Sequence, residues 1–476
     1  MEATKLLVKF CVLLVVFVAC TTNNKKSNLP WEKHGKLIVN TNSRIIQHKD
    51  GTPFLWLGCT AWGMTEWLSR EDVDIYLDDR KSKGMNIVQL CLFWGKRKDY
   101  PTNFYLNPEN QYGDKAFVEV DSFPNVLVPA IKKGGSTTNP NDYWDHVDYC
   151  LKAIKQRGMY AAILPFWGRR YVNATHKGQS KQVFTAKNIK QYGEFLGMRY
   201  GDQPHIIWVN GGDVKAGQGG DFVSIYRLFA EGLAKGITGK DIKWNEKNPA
   251  WDEFLMTYHP DGAPLINSSE WFHNDPWLDF NMIETHVNRD MIPASIRKDL
   301  AMKPIKPTVI GEGHYEGETN GRIAKAIHIR RQLYQTFFSG GAGNTYGGGF
   351  DEQGNGPLFS PTNNWKHLLE WEGAGQIIHI KKILQENKWW NWQPVLGLIS
   401  EGKNEGELEK LVVKSEGNYL VYFPEHTNCI INLKNIYSLQ WFNPKTGELL
   451  AEAVSEDNKF VPPDDWEDAV LILMHK

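Results

Sequence analysis

The chain has 476 residues, 41% of them hydrophobic and 23% charged, with a formal net charge of -1. That length suits one large domain plus a smaller one, and the charge balance gives no footing for a polyanionic partner such as nucleic acid. Tryptophan is the compositional outlier, at 19 residues; its flat faces fill cores and also stack on apolar ligand surfaces, sugar rings included.

In chain order, Lys5 and Lys9 precede an apolar run, Phe10 to Cys20, too short to span a bilayer as a helix. It reads as a signal peptide over residues 1–20. Its end, FVAC, resembles the lipobox of bacterial lipoproteins, with Cys20 as the lipidated residue and Phe17 where Leu is usual. Residues 21–35 follow as polar linker. The expected location is therefore the bacterial cell envelope, periplasm-facing or at the cell surface, with membrane attachment only through the lipid. Of the six cysteines, Cys59, Cys91, Cys150 and Cys429 lie beyond the leader, none in a metal-knuckle spacing. Buried free thiols are expected.

From Thr52 strand and helix patterns alternate. PFLWLGCTAW (53–62) is an apolar strand, and Val73, Tyr76, Leu77 and Arg80 form a helical face closed by Gly84. MNIVQLCLFW (85–94) is the second strand. A segment from Gly95 to Asn141 is too long for a routine loop and reads as functional surface. Trp144, Val147, Leu151 and Ile154 mark a helix, MYAAILPFW (159–167) the third strand, and Ile189, Tyr192 and Leu196 the next helix. IIWVNGGD (206–213) is strand four. EFLMTYHP (253–260), DFNMIETHV (279–287), KPTVIGEGHYE (306–316) and SGGAGNTYGGG (339–349) supply four more strands, with helices over 222–236 and 323–338. The alternation predicts parallel pairing and an eightfold (β/α) TIM barrel over 36–390. No glycine-rich dinucleotide fingerprint follows the first strand, which disfavours an open doubly wound sheet. A last helix, 365–386, should pack on the barrel, and residues 391–476 read as a small antiparallel β-sandwich.

Barrel enzymes place their sites at the C-terminal strand ends. Here those ends carry Trp62, Trp94, Trp167, Asp213, Tyr258, His259, Glu284, His286, Glu312, His314, Tyr315, Glu316 and Tyr346. Asp213 after strand four and Glu312 after strand seven are close enough in the barrel order to flank one bond. Glycosidic hydrolysis uses such a pair, one carboxyl protonating the leaving oxygen and the other attacking the anomeric carbon or activating water. The competing readings are an N-cap for Asp213, a structural salt bridge for Glu312, core histidines at 259 and 286, and a loop-orienting role for Glu316. His259, His286 and Glu284 could build a metal site, but no tight ligand motif such as HExxH occurs, and neither metal nor cofactor is expected. No GxSxG elbow supports a serine triad.

WLGCTAW (56–62), RYGDQPHIIWVNGGD (199–213), TYHP (257–260), PWLDFNM (276–282), GEGHYEG (311–317) and WFNPKTGE (441–448) together resemble the apiosidase-like glycoside hydrolases, family 140. The resemblance covers nearly the whole mature chain. It implies a (β/α)8 barrel, a lipoprotein or secreted location, and action on side chains of plant or algal cell-wall polysaccharide. It also implies Asp213 as acid/base and Glu312 as nucleophile. Relatives read LGDTAW where this chain has Cys59, and QSGH where it has Glu284-Thr285-His286; both changes are expected at the mouth, so apiose as substrate does not follow. The expectation is a retaining glycosidase taking a carbohydrate substrate, its sugar site shaped by Trp62, Trp94, Trp167, Tyr258, His259, Glu284, His286, Tyr315 and Tyr346. The alternative is a glycan-binding lipoprotein on a degenerate barrel, which would have no need of both acids.

Overall fold

The computed structural model describes residues 29–95, 97–99, 103–104, 106–175, 181–318, 322–349, 365–433, 437–452 and 458–475. The expected leader, with Cys20, and most of the expected linker lie outside them. The linker's final residues do not behave as one: Pro30–His34 form a short helix, with Pro at its first position and Trp31 buried. The Trp31 ring meets Tyr160 edge-on at 5.3 Å. The chain therefore joins the fold at Pro30 rather than at residue 36.

Eight strands form one parallel sheet: β1 (Trp56–Thr60), β2 (Ile87–Cys91), β3 (Tyr160–Leu164), β4 (Ile206–Gly211), β5 (Met256–His259), β6 (Asn281–Glu284), β7 (Thr308–Glu312) and β8 (Gly343–Tyr346). Their order, β5-β4-β3-β2-β1-β8-β7-β6, is sequential around a nearly closed barrel. Every residue of these strands is buried. That follows from being covered on one side by the barrel interior and on the other by helices. Between β5 and β6 the closure is made by single bonds. Met256 N–H donates to the Asp279 carboxylate at 2.7 Å, and Thr257 Oγ1 donates to Phe280 O at 2.6 Å.

The outer ring consists of α1 (Arg70–Ser82), α2 (Tyr143–Gln156), α3 (Ile189–Tyr200), α4 (Val223–Thr238), α5 (Ile292–Ala301), α6 (Ala326–Phe338) and α7 (Glu372–Glu386). Their starts follow capping chemistry where the sequence offers it. Ser69 accepts from Asp72 N–H at α1, and Asp142 accepts from Asp145 N–H at α2. Only a single helical turn, Ser269–Phe272, separates β5 from β6. The long segment after β2 is partly built as a hairpin, Phe117–Val120 with Phe123–Pro129. It is pinned by Phe117 against Phe93 and by Trp144 Nε1 donating to Ala116 O.

The C-terminal region is two antiparallel sheets, of six and three strands, beginning at Gln393. Val421, Phe423, Ile431, Trp441, Phe460 and Leu471 fill the space between them. This domain is fastened to α6. Arg330 forks onto Asp468, Tyr334 stacks on Tyr422 at 4.8 Å, and Phe338 meets Trp392 edge-on. Cys59, Cys91, Cys150 and Cys429 are buried free thiols. Among the described residues no helix is long and apolar enough to cross a membrane.

Candidate active site

The end of β4 explains its two glycines. Gly211 and Gly212 both have left-handed φ, +88° and +120°. A side-chain carbon at Gly211 would fall 2.5 Å from His259 O, so the turn needs glycine for space as well as for φ. Asp213 follows at φ +47°, a conformation Asp tolerates better than most residues. Its N–H donates to His259 Nδ1 at 3.3 Å, and its Oδ2 accepts from Arg169 Nη1 at 2.8 Å. The next helix starts at Phe222 without a side-chain cap, so Asp213 is no N-cap. Burial, opposed by Arg169 and reinforced by the charge of Glu312, pushes the Asp213 carboxyl up to about 6.

Glu312 ends β7 and is the register partner of Glu284 at the end of β6, beside a bulge. Its Oε1 accepts from the Tyr315 phenol, which in turn accepts from Trp62 Nε1 at 2.8 Å. Its other oxygen, Oε2, faces His259 Nε2 at 3.1 Å, while His259 Nδ1 stands 3.6 Å from Glu284 Oε2. His259 Nε2, Glu284 Oε2 and Glu312 Oε2 are all buried and without a hydrogen-bond partner. Unsatisfied polar atoms in one place are costly unless a ligand completes them. Glu284 is held well above the usual carboxyl range by burial and by the charges of Glu312, Asp213 and Asp261.

Three indole rings wall this centre. Trp62 and Trp94 lie nearly parallel, 11° apart with centroids at 6.3 Å, and Trp167 meets both edge-on. Trp62 and Trp167 also contact the His259 ring at 5.4 and 5.7 Å. Arg170 backs the wall, its guanidinium 4.3 Å from the Trp94 ring centroid. Two carboxylates, a phenol-held oxygen and an aromatic wall can position a polyhydroxylated ring and carry out proton transfer beside it.

Several expected site residues are elsewhere. Tyr258 points away from the barrel axis, packing on Tyr226 and Phe272 and donating to Val214 O at 2.8 Å. Tyr346 donates to Glu316, which also accepts from Gly373 N–H; both residues tie the β7 and β8 ends to α7 rather than lining the mouth. Cys59 is likewise behind the barrel. Its thiol donates to Ile87 O at 3.4 Å and lies by Tyr76 and the buried Arg80 of α1, so its expected place at the mouth is corrected. His286 turns to Glu318 at 3.2 Å, so the trio His259, His286 and Glu284 is not assembled as a metal site. His259, Glu284 and Glu312, whose ligand atoms lie within 4.8 Å of one another, are the residues that could hold a cation. Arg169, Glu318 and Arg289 were missed from sequence. Arg169 had a signal, since an Arg-Arg pair stands one glycine past Trp167 at the end of the third strand pattern.

Residues 40–391 match the family described as "Apiosidase-like, catalytic domain". Residues 394–474 match one described as "Putative collagen-binding domain of a collagenase". No curated protein matches. Among solved structures, one described as a glycoside hydrolase is 26% identical with a TM-score of 0.75, the alignment covering 95% of this chain and 99% of that one. A glycoside hydrolase family 5 protein from Bacteroides vulgatus is also 26% identical, with a TM-score of 0.77 over 94% and 95% of the two chains.

Proposed function

The chain belongs to the apiosidase-like family and is a glycoside hydrolase, and from that premise we propose that it is a retaining enzyme using Glu312 as nucleophile and Asp213 as acid/base. The observation that carries this reading is the unlike treatment of the two carboxyls at the ends of β4 and β7. Glu312 Oε1 is held by the Tyr315 phenol, while Oε2 has no hydrogen-bond partner and faces His259 Nε2, free for attack on the anomeric carbon. Asp213 is raised to about 6, so it holds a proton in mildly acidic solution. In the first step Glu312 Oε2 bonds to the anomeric carbon as Asp213 protonates the departing oxygen. In the second, Asp213 takes a proton from water, which attacks the same carbon and releases Glu312.

The substrate class we propose is a side-chain sugar of plant or algal cell-wall polysaccharide, presented to an enzyme anchored through Cys20 at the bacterial envelope. Trp62, Trp94 and Trp167 supply the sugar-facing wall, and His259, Glu284, His286 and Tyr315 the polar contacts. With Cys59 behind the barrel, Glu284 is the departure from the family pattern that bears on the sugar. The test is to incubate pectic and algal polysaccharides with the enzyme and follow released monosaccharides by NMR, reading the anomeric configuration before mutarotation. Retention with wild type and no release with Glu312→Gln are expected. An inverted first product removes the nucleophile role, and tight glycan binding with no release favours a binding protein instead.

A further inference from the structure

Among the described residues, Glu407 of the C-terminal domain ties together the loops that frame the catalytic mouth, its N–H donating to Asp290 Oδ1 at 3.2 Å. Glu407 sits on a short turn, Gly406–Leu408, and is buried against the barrel. Its Oε2 accepts from Arg289 Nε at 2.7 Å and stands 3.3 Å from Arg322 Nη2. Its Oε1 accepts from Arg331 Nη1 at 3.3 Å. Arg289 follows β6, Arg322 follows β7 and Arg331 is on α6, so one carboxylate gathers the two loops and the helix that frame the site.

The contact continues inward. Arg289 Nη1 donates to His314 Nδ1, which places the His314 proton on Nε2. His314 is two residues past Glu312, and its main chain is clamped by Gln332 of α6 at 2.8 and 3.0 Å. His314 Nε2 faces Glu318 Oε2 at 3.7 Å. Glu318 in turn accepts from Tyr315 N–H at 3.4 Å and meets His286 Nε2 at 3.2 Å. Tyr315 then holds Glu312.

We propose that Glu407 is a positioning residue, through which the C-terminal domain, by way of Arg289 and His314, fixes the loop that orients Glu312 and His286. The inference rests on Glu312 acting as the nucleophile. Without the Glu407 charge, the buried Arg289 loses its ion-pair partner, and its hold on His314 loosens with it. The obvious rival is that Glu407 only fastens one domain to the other. Glu409 provides the control, since among the described residues it pairs with Arg297 and Lys403 at the same junction and with none of the groups linked to Glu312.

The experiment compares full-length wild type, Glu407→Gln, Glu409→Gln and Arg289→Lys, measuring kcat and KM on the sugar substrate together with hydrogen–deuterium exchange. Arg289→Lys keeps an ion pair with Glu407 but lacks the second arm that reaches His314, so it informs even if Glu407→Gln fails to fold. Misplacing a reacting group by about 1 Å costs on the order of 10²-fold, so kcat should fall by about that factor in Glu407→Gln and Arg289→Lys, with KM changed less than about twofold. Exchange should rise over residues 286–291 and 312–318 in both variants, and neither effect should appear in Glu409→Gln. Wild-type kcat in both variants, or an equal loss in Glu409→Gln, overturns the proposal. If wild type hydrolyses no glycan, the nucleophile reading falls, and the exchange data still decide whether Glu407 orders the 312–318 loop.

Discussion

Arg169→Met isolates the electrostatics of the proposed acid. Arg169 stabilises the ionised form of Asp213 across 2.8 Å. The side chains are 41% and 26% exposed, so solvent screens the pair. With the dielectric constant of water, the attraction at that distance is about 1.5 kcal/mol, against about 6 kcal/mol if the site were fully protein-like; exposure favours the lower figure. Since 1.4 kcal/mol corresponds to about one pH unit, losing the guanidinium should lift Asp213 from about 6 to roughly one unit higher. The sign follows from the role. The acid works protonated, so kcat/KM falls as pH rises through its pKa, and removing a cation moves that alkaline limb upward. At pH 7 the protonated fraction then grows about fivefold. The assay is kcat/KM from pH 4.5 to 8.5 for both proteins. A limb that stays put, or moves down, means that it does not belong to Asp213.

Three further outcomes follow from the same geometry. Tyr315→Phe deletes the donor to Glu312 Oε1, and kcat should drop about 10²-fold by the measure of other preorganised donors; a change in KM alone would assign Tyr315 to substrate binding instead. Tyr346→Phe strips Glu316 of a buried donor and should lower stability by about 1.5–3 kcal/mol, with KM unchanged; a raised KM would return Tyr346 to the sugar site. Cys59→Asp sets a carboxyl beside Arg80, a buried guanidinium whose Nη1 already stands 3.5 Å from Asp79 Oδ1. Burial outweighs Arg80 for the Cys59 thiol, which is pushed up to about 11. A carboxyl there should therefore have a folded pKa above its unfolded one, and cost stability that is absent below about pH 4 and grows as pH rises. Thermal midpoints of variant and wild type at pH 7 and pH 3.5 check this, and a variant midpoint above wild type at pH 7 refutes it.

The strand and helix order was legible because each barrel strand is an apolar run ended by polar residues, and because Gly84 and Gly158 close their helices at positive φ. What the strand ends left ambiguous was parity. Side chains alternate faces along a strand, so of two adjacent polar residues at its end only one looks into the barrel. Tyr258 and His259 are such a pair, and the structure gives the interior to His259. Tyr346 and Cys59 are register partners, and both turn outward to the helix layer. Arg169, on the short helix Gly168–Tyr171, and Glu318 lie beyond the strand ends, where strand periodicity does not reach. Arg289 and Glu407 are 118 residues apart, and nothing local in the chain announces that pairing.

The fastening of the β-domain changes what the boundary near residue 391 means. Cutting there would strip Arg289, Arg322 and Arg331 of Glu407, and Arg330 of Asp468, while uncovering Tyr334 and Phe338. A barrel freed of its partner would carry the Arg289 and Arg330 guanidinium groups without these counter-charges beside a fresh apolar patch, a combination that favours aggregation over solubility. These contacts predict that the two regions unfold together, and melting of the intact chain should give a single transition. Two resolved transitions would instead make the division that the two family matches draw along the sequence one of independent folding as well.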